Sequence, residues 1–220
     1  MSLLDGVKLT LVEHDLIPAA WLRYRLDHDL RRWEQGQQAP FPHIMKQRIV
    51  LDYAAVSETR VFIETGTYYG NMLQACLGHF DKLISFEIES HFYRRAQKVF
   101  GRMSNVTLVH GDSGELLPKI LCMIKCPCLF WLDAHYSCGL TGRAKLETPI
   151  RSELEAILSH THRHTILIDD ASSFDGMHDY PKIAWIDEVA RKAGYSWSVS
   201  DNIIRLIAPR ELAKLPSNLG

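Results

Sequence analysis

The sequence lacks any long, uninterrupted apolar segment. Its longest apolar runs, such as Cys128–Leu132 and Thr165–Ile168, are far shorter than the roughly 20 residues of a membrane-spanning helix. The N-terminal segment also lacks a basic stretch followed by an apolar one, which is the pattern of a secretory signal. We therefore expect a protein with no membrane partner.

An excess of charge is also lacking. The chain has 25 Lys and Arg against 26 Asp and Glu, for a formal net charge of -1. No domain-scale positive field is available to hold a phosphate backbone, so no nucleic-acid partner is expected. The five cysteines are an odd number, in a chain large enough to bury a core without disulfides, which indicates a reduced, cytoplasmic compartment.

Short apolar runs alternate with helical segments from residue 61 onwards. This alternation predicts five parallel strands, with helices on both faces of the sheet. The five runs are Val61–Ile63, Leu83–Phe86, Val106–Val109, Cys128–Leu132 and Thr165–Ile168. Two last runs, Tyr195–Ser200 and Ile203–Ala208, are separated only by Asp201 and Asn202, so they must form an antiparallel hairpin. The predicted fold class is α/β, with a C-terminal hairpin that the NAD-binding Rossmann layout does not have.

The N-terminal region has a helical pattern instead. Apolar residues recur at helical spacing over Leu3–Gln38, the segment Ala39–Pro42 breaks the pattern, and a second helix is predicted over His43–Val56. We interpret residues 1–58 as a helical cap over the acceptor side of a core formed by residues 59–220. The apolar stripe Trp21–Trp33 fits either the core or the contact surface of a homo-oligomer.

Acidic residues stand at or soon after the ends of all five predicted parallel strands. Ligands of open α/β sheets bind outside the carboxyl ends of the strands. Five carboxylates along one edge would repel each other unless a ligand or a metal takes up their charge. The five residues are Glu64, Glu87, Asp112, Asp133 and Asp169.

The first strand leads into a turn with the spacing E-x-G-x-x-x-G, which comprises Glu64, Gly66, Tyr68 and Gly70. A dinucleotide site would have G-x-G-x-x-G facing a pyrophosphate. A carboxylate before the first glycine suits a cationic ligand, with an ammonium and a sulfonium, better than a pyrophosphate. The alternative is a structural turn with a solvated glutamate.

Two further groups fit an adenosine ligand. Glu87 follows Glu64 at close to the ~20-residue offset of a ribose-binding carboxylate. Asp112 and Ser113 follow the third strand, where they could reach the adenine amino group. The alternative for this pair is an N-cap of the next helix, since both residue types favour caps.

These motifs resemble the catechol-type and antibiotic-sugar (macrocin-type) O-methyltransferases of the class I S-adenosylmethionine-dependent superfamily. The likeness lies in Glu64-x-Gly66-x-Tyr68-x-Gly70, Phe86-Glu87-Ile88 and His110-Gly111-Asp112-Ser113. The resemblance implies that Glu64 holds the methionine amino end, Glu87 the ribose and Asp112 with Ser113 the adenine. Asp133 would also contact S-adenosylmethionine.

The resemblance extends to Phe130–Tyr136 and Leu167–Asp170. It implies that Asp133, Asp169 and Asp170 bind Mg²⁺ or another hard divalent ion, which suits carboxylate oxygens. The implied activity is metal-assisted O-methylation of a sugar, glycoside or small polyhydroxy acceptor. His135 would take the hydroxyl proton.

The sequence departs from the catechol type at two points, and other functions stay open. No lysine stands just after Asp133, where that group has its base, and the loop Ser137–Glu147 is longer than expected. The alternatives are a metal-independent methyltransferase, a nicotinamide-dependent oxidoreductase and a non-catalytic protein that keeps the fold.

Overall fold

The computed structural model describes residues 19–36, 41–57, 59–134 and 148–209. His135, the loop Ser137–Glu147 and the first residues of the predicted N-terminal helix lie outside these ranges. The strands are β1 Val61–Thr65, β2 Lys82–Glu87, β3 Val106–His110, β4 Leu129–Leu132, β5 Thr165–Ile168, β6 Ser196–Ser200 and β7 Ile203–Ile207. The α-helices are α1 Ala19–Glu34, α2 His43–Ser57, α3 Asn71–Cys76, α4 Ser90–Phe100, α5 Ser113–Leu121, α6 Ile150–Leu158 and α7 Ile183–Ala193.

The strands form one sheet in the order β3-β2-β1-β4-β5-β7-β6. All pairings among β1 to β5 are parallel, whereas β7 is antiparallel to both β5 and β6. The predicted α/β class, with a largely parallel sheet and antiparallel C-terminal strands, is confirmed. The strand order reverses between β1 and β4, and such switch points are where open α/β sheets bind ligands.

Each face of the sheet has its own apolar core. Ile63 of β1 belongs to the core that α5, α6 and α7 cover, while its neighbour Phe62 belongs to the core under α2, α3 and α4. Successive side chains of a strand point to opposite faces, so Glu64 lies on the same face as Phe62. Because Val50 and Tyr53 of α2 are buried in the second core, this helix packs directly on the sheet.

The helix after the glycine turn is shorter than the sequence suggests. Its pattern continues through Phe80, but α3 ends at Cys76. Gly78 adopts a positive φ of 80°, which favours glycine and ends the helical path. The ring of Phe80 then packs against Phe62, with their centroids 5.2 Å apart.

The four cysteines in the described ranges, Cys76, Cys122, Cys126 and Cys128, are free thiols. In the same ranges no helix has both the length and the apolarity that crossing a membrane requires.

A histidine cluster around the buried His164 lies at the edge of the sheet opposite the strand ends discussed above. The backbone N–H of Cys128 donates to Nδ1 of His164 at 3.0 Å, so Nε2 must carry the ring hydrogen. This Nε2 donates to Nδ1 of His160 at 2.9 Å. Burial, with added effects of His160 and His162, lowers the pKa of His164 to about 3, so its ring stays neutral in the folded protein.

We expect this cluster to make the fold acid-sensitive. His164 is neutral when folded but protonates near pH 6.5 when unfolded, so its contribution is complete above that pH. Below it, the free energy of unfolding should fall by up to about 1.4 kcal/mol per pH unit. Urea unfolding from pH 7 to pH 5 measures this slope. His164→Asn keeps an acceptor for Cys128 without a titrating ring and should flatten the slope; equal slopes would contradict the assignment.

Candidate functional site

The carboxyl ends of β1, β4 and β5 meet at one edge, held by backbone hydrogen bonds. The N–H of Asp133 donates to the Thr65 carbonyl at 3.1 Å, and the N–H of Asp169 donates to the Leu132 carbonyl at 3.0 Å. Asp133, just after β4, is therefore held beside the end of β1, and Asp169, just after β5, is held beside the end of β4. Four of the five predicted acids lie together: beyond the effect of burial, the charges of Asp133 and Glu87 raise the pKa of Glu64, and the charge of Asp133 raises that of Asp169. The fifth, Asp112, instead acts on Glu153.

The first turn folds across the ends of β2 and β4. The N–H groups of Gly66 and Thr67 both donate to the Phe86 carbonyl at 3.0 Å. Gly66 has φ +88°, and a Cβ there would lie 2.7 Å from the Asp133 carbonyl oxygen. This position thus requires glycine twice, for its conformation and for its close contact with the chain after β4.

Tyr68 stands in the middle of this turn with a positive φ of 49°, which is uncommon for a bulky residue. Its backbone N–H donates to Oε2 of Glu87 at 2.7 Å. Its ring is 40% exposed and contacts Tyr69 and Phe92, with centroids 4.4 and 4.7 Å away. The turn therefore presents an aromatic face while its backbone holds the acid of β2.

The Glu87 carboxylate is anchored through both oxygens. Besides Tyr68, the N–H of Glu89 donates to Oε1 at 2.8 Å. Burial raises the Glu87 pKa, while these two backbone donors lower it. Glu89 itself caps α4 by accepting from the N–H of His91.

Glu64 is only 1% exposed and lies beneath the turn. The Ser85 hydroxyl donates to its Oε1 at 2.6 Å, and Ser85 contacts the Thr67 hydroxyl in turn. Burial raises the Glu64 pKa to about 8; Ser85 opposes this rise, and the charges of Asp133 and Glu87 add to it. The alternative of a solvated glutamate is wrong, because this carboxyl is enclosed and largely protonated at pH 7.

A cleft of about 210 Å³ opens between the turn and the two N-terminal helices. Its walls combine aromatic and polar side chains. They include Asp29, His43, Tyr68, Tyr69, Asn71, Trp131 and Asp133. The cleft therefore joins the predicted turn and Asp133 to residues from α1 and α2.

His43 is a cleft residue that the sequence analysis missed. Gln47 donates from its Nε2 to the Asn71 carbonyl at 3.0 Å, and the same amide lies 3.0 Å from Nδ1 of His43. An amide N–H is a donor, so Nδ1 accepts and Nε2 carries the hydrogen. Burial lowers the His43 pKa, Asp133 raises it, and Lys46 lowers it. The ring is therefore a neutral donor at pH 7.

A second missed residue, Lys46, stands at the predicted metal ligands. Its Nζ lies 2.5 Å from Oδ2 of Asp169 and 4.0 Å from Oδ1 of Asp170. Burial lowers the Lys46 pKa, but the carboxylates of Asp169, Asp133 and Asp170 raise it above its ordinary value. Within the described residues, no group of three or more His, Cys, Asp or Glu side chains is arranged to hold a metal ion.

The region after β3 adopts the predicted cap. Oδ1 of Asp112 accepts from the N–H of Gly114 at 2.8 Å, so Asp112 caps α5. Ser113 is buried and its hydroxyl lowers the pKa of Glu153, whereas burial of Glu153 raises that pKa to about 7. The roles of Asp112 and Ser113 toward an adenine stay predictions.

Glu153 is a third residue that the sequence analysis missed. Its Oε1 is buried without a hydrogen-bond partner among the described residues. It lines a cavity of about 10 Å³, the size of one water molecule, which Asp133 and Asp169 also line. The apolar neighbours Ile150, Leu154 and Ile157 of α6 are buried, so an acid within that stripe was the available signal.

Comparisons with known proteins agree with this architecture. No protein-family model matches the sequence, and no curated protein is significantly similar to it. Among solved structures, the chain is similar to the methyltransferase PaMTH1 of Podospora anserina, with S-adenosylhomocysteine bound (TM-score 0.53, 14% identity, 94% of this chain and 97% of that one). It is also similar to the N-methyltransferase NodS of Bradyrhizobium japonicum WM9 (TM-score 0.52, 14% identity, 76% of this chain and 96% of that one).

A third similar structure is the O-methyltransferase TomG of Streptomyces achromogenes in complex with S-adenosylmethionine (TM-score 0.50, 15% identity, 83% of this chain and 89% of that one). At 14–15% identity, these structural similarities show a shared fold alone. The chain has the fold of class I S-adenosylmethionine-dependent methyltransferases.

We expect Gly66→Ala to be more destabilising than an ordinary glycine replacement. Gly78 has a similar φ of 80°, but no described atom lies within 4 Å of the point where an added methyl group would stand, so Gly78→Ala is a matched control for backbone strain. The added contact with the Asp133 carbonyl should cost about 1–3 kcal/mol beyond the control. Chemical denaturation of both variants measures this difference in the free energy of unfolding. Equal losses of stability in the two variants would contradict the expected clash with the Asp133 carbonyl.

Proposed function

We propose that this protein is an S-adenosylmethionine-dependent methyltransferase that methylates a hydroxyl group. The observation that carries the proposal is the convergence of Glu64 and Glu87 on one glycine turn at the switch point of the sheet. Glu87 is bonded to the turn's own backbone, and Glu64 is enclosed directly beneath it. Two carboxyl groups placed around such a turn suit an adenosine ligand with a positive charge.

The residues around the turn fit the parts of this cofactor. Both Glu87 oxygens are oriented by backbone donors, and each keeps accepting capacity for the hydroxyls of a ribose. Burial favours the neutral form of Glu64, and a cation bound nearby would favour its ionised form. Asp112 and Ser113 lie where we assign the adenine. When bound, the cofactor supplies an electrophilic methyl group on its sulfonium.

The acceptor site in this proposal is the cleft beside the turn. Tyr68 and Tyr69 offer aromatic faces, while His43 and Asp133 offer a donor and an acceptor. Such a lining suits a sugar, a glycoside or another small polyhydroxy molecule. NodS and TomG share this fold but act on nitrogen and oxygen respectively, so the preference for a hydroxyl rests on the motifs of the sequence.

Proton removal from the acceptor is assigned to the chain after β4. Asp133 lines the cleft, and we propose that its carboxylate or the imidazole of His135, two positions later, accepts the hydroxyl proton. His43 does not act as the base in its observed state. The Gln47 amide faces Nδ1, so the other ring nitrogen, Nε2, carries a hydrogen and is a donor. We assign to His43 the orientation of the acceptor oxygen.

Mg²⁺, which the resemblance implies for Asp133, Asp169 and Asp170, has no place in this proposal. The described side chains do not fit it, since an ammonium group already lies on Asp169. No step of the proposed reaction depends on a metal ion.

The proposal is tested by the affinity for S-adenosylmethionine, S-adenosylhomocysteine and NAD, measured by calorimetry. We expect the two sulfur ligands to bind and NAD not to bind. Glu87→Gln should weaken binding by about 10- to 100-fold, because a hydrogen bond to a charged group is worth about 1.5–3 kcal/mol. Glu89→Gln is the matched control and should leave affinity within about twofold. The Glu89 side chain caps a helix, and the backbone N–H that holds Glu87 is kept in the variant.

The outcomes separate the alternative functions. Binding of NAD alone would support an oxidoreductase. Binding of S-adenosylmethionine, without methyl transfer to any hydroxyl acceptor in a panel of sugars and glycosides, would support a non-catalytic protein that keeps the fold.

Affinity for S-adenosylmethionine should also depend on pH. Without ligand, the Glu64 carboxyl has a pKa of about 8, and a bound cation lowers that pKa. Binding therefore releases a proton below pH 8, and the affinity should rise by up to about tenfold per pH unit from pH 6 to pH 8. Calorimetry in buffers of different ionisation enthalpy counts the protons. Glu64→Gln should remove the dependence, and an unchanged profile would contradict the assignment.

A further inference from the structure

The acidic edge contains a cation that belongs to the chain itself. Lys46 reaches from α2 to the end of β5, where its Nζ lies 2.5 Å from Oδ2 of Asp169. Both residues are nearly enclosed, with side-chain exposures of 14% and 3%. A pair this buried differs from a surface ion pair, because neither partner recovers its solvation when the other is removed.

The carboxylates next to Lys46 already have protein partners. Oδ1 of Asp169 accepts from the N–H of Asp170 at 2.8 Å, so each Asp169 oxygen has one partner within the chain. Oδ1 of Asp170 accepts from Nδ2 of Asn202 at 3.2 Å, which fastens it to the turn between β6 and β7. Mg²⁺ needs near-octahedral oxygen ligands at about 2.0–2.1 Å, and it would have to displace the ammonium to obtain them.

The position of Lys46 also connects this edge with the cleft. Lys46 follows His43 by three positions on α2, so the two side chains share one face of the helix. His43 lines the cleft, and Asp133 influences the pKa values of both. Lys46 therefore shares a helix face with a residue of the cleft wall, while its ammonium contacts Asp169.

We propose that the Lys46 ammonium is the resident cation of this site and takes the place of a divalent metal ion. It is a positioning residue that neutralises Asp169 and keeps the carboxylates of the β4 and β5 ends together. Two consequences follow from this role. The native protein has no affinity for Mg²⁺ or Mn²⁺ at this edge. Removal of the ammonium frees the carboxylates of Asp133, Asp169 and Asp170, which are not arranged around a metal ion in the native structure, to rearrange and bind a divalent ion.

The test measures metal binding by Mn²⁺ and Mg²⁺ titration, with calorimetry and thermal unfolding as readouts and no cofactor present. We expect the wild type to show no binding isotherm and no metal-dependent rise in Tm. Lys46→Ala should lower Tm by about 5 °C or more, because it leaves a buried charge unpaired. The Tm of Lys46→Ala should rise again by about 5 °C when the Mn²⁺ concentration is 100-fold above its Kd.

Two matched variants complete the design. Lys46→Arg keeps the charge and should behave as the wild type does. Arg48→Ala removes a positive charge from an exposed position of the same helix and should not create a metal site. If Lys46→Ala does not fold, Lys46→Met removes the charge while keeping most of the apolar stem, and the same gain of Mn²⁺ binding is expected.

Two results would overturn the proposal: saturable Mn²⁺ binding by the wild type with micromolar affinity, or no gain of binding in any folded variant without the ammonium. Neither readout involves S-adenosylmethionine, so the inference can fail while S-adenosylmethionine-dependent transfer to a hydroxyl still holds. Only one consequence rests on the proposed function, namely that methyl transfer by the wild type is unaffected by chelators.

Discussion

Like charges crowded at one edge of a parallel sheet are the constraint on which the site depends. The sheet brings Glu64, Glu87, Asp133 and Asp169 to neighbouring strand ends. Burial opposes ionisation of Glu64, Glu87 and Asp169, and the charge of Asp133 adds to this effect at Glu64 and Asp169. The chain relieves this repulsion differently at each position. Glu87 receives two backbone donors, Glu64 receives a hydroxyl and a proton, and Asp169 receives the ammonium of Lys46.

These different solutions give the carboxyl groups different chemistry. Glu87 has its geometry fixed from within the turn, which suits repeated recognition of the same pair of hydroxyls. Glu64 responds to charge, since its protonation changes when a cation approaches. The charge of Asp169 is already balanced by Lys46, so this residue stabilises the edge of the sheet. A row of similar acids in the sequence thus becomes a row of distinct functional groups.

The predictions from sequence succeeded where local patterns decide the structure. Strand β5 begins at Thr165 and ends at Ile168, as its apolar run indicates, and the turn after β1 forms around Gly66 as its spacing requires. The parallel order follows from alternation of strands and helices, because a parallel pair needs a long connection. The acids at the strand ends follow from the same reasoning.

The site was less predictable where it depends on pairs distant in sequence. Lys46 and Asp169 are 123 positions apart, and no local pattern indicates that α2 crosses the end of β5. The tautomer of His43 likewise depends on Gln47 and on a carbonyl from α3. Spacing did place His43 and Lys46 on one helix face, but only tertiary packing shows which surface that face covers.

Gln47 connects two walls of the cleft, one formed by α2 and the other by the start of α3. Its amide bonds both His43 within α2 and the carbonyl of Asn71, the first residue of the helix that follows the glycine turn. A displacement of α2 that widens the cleft must therefore pull on the end of that turn or break this bridge. Under the proposed function, an acceptor that enters beside α2 and an adenosine ligand that binds at the turn would both act on this bridge, so the Gln47 amide would couple the two binding events.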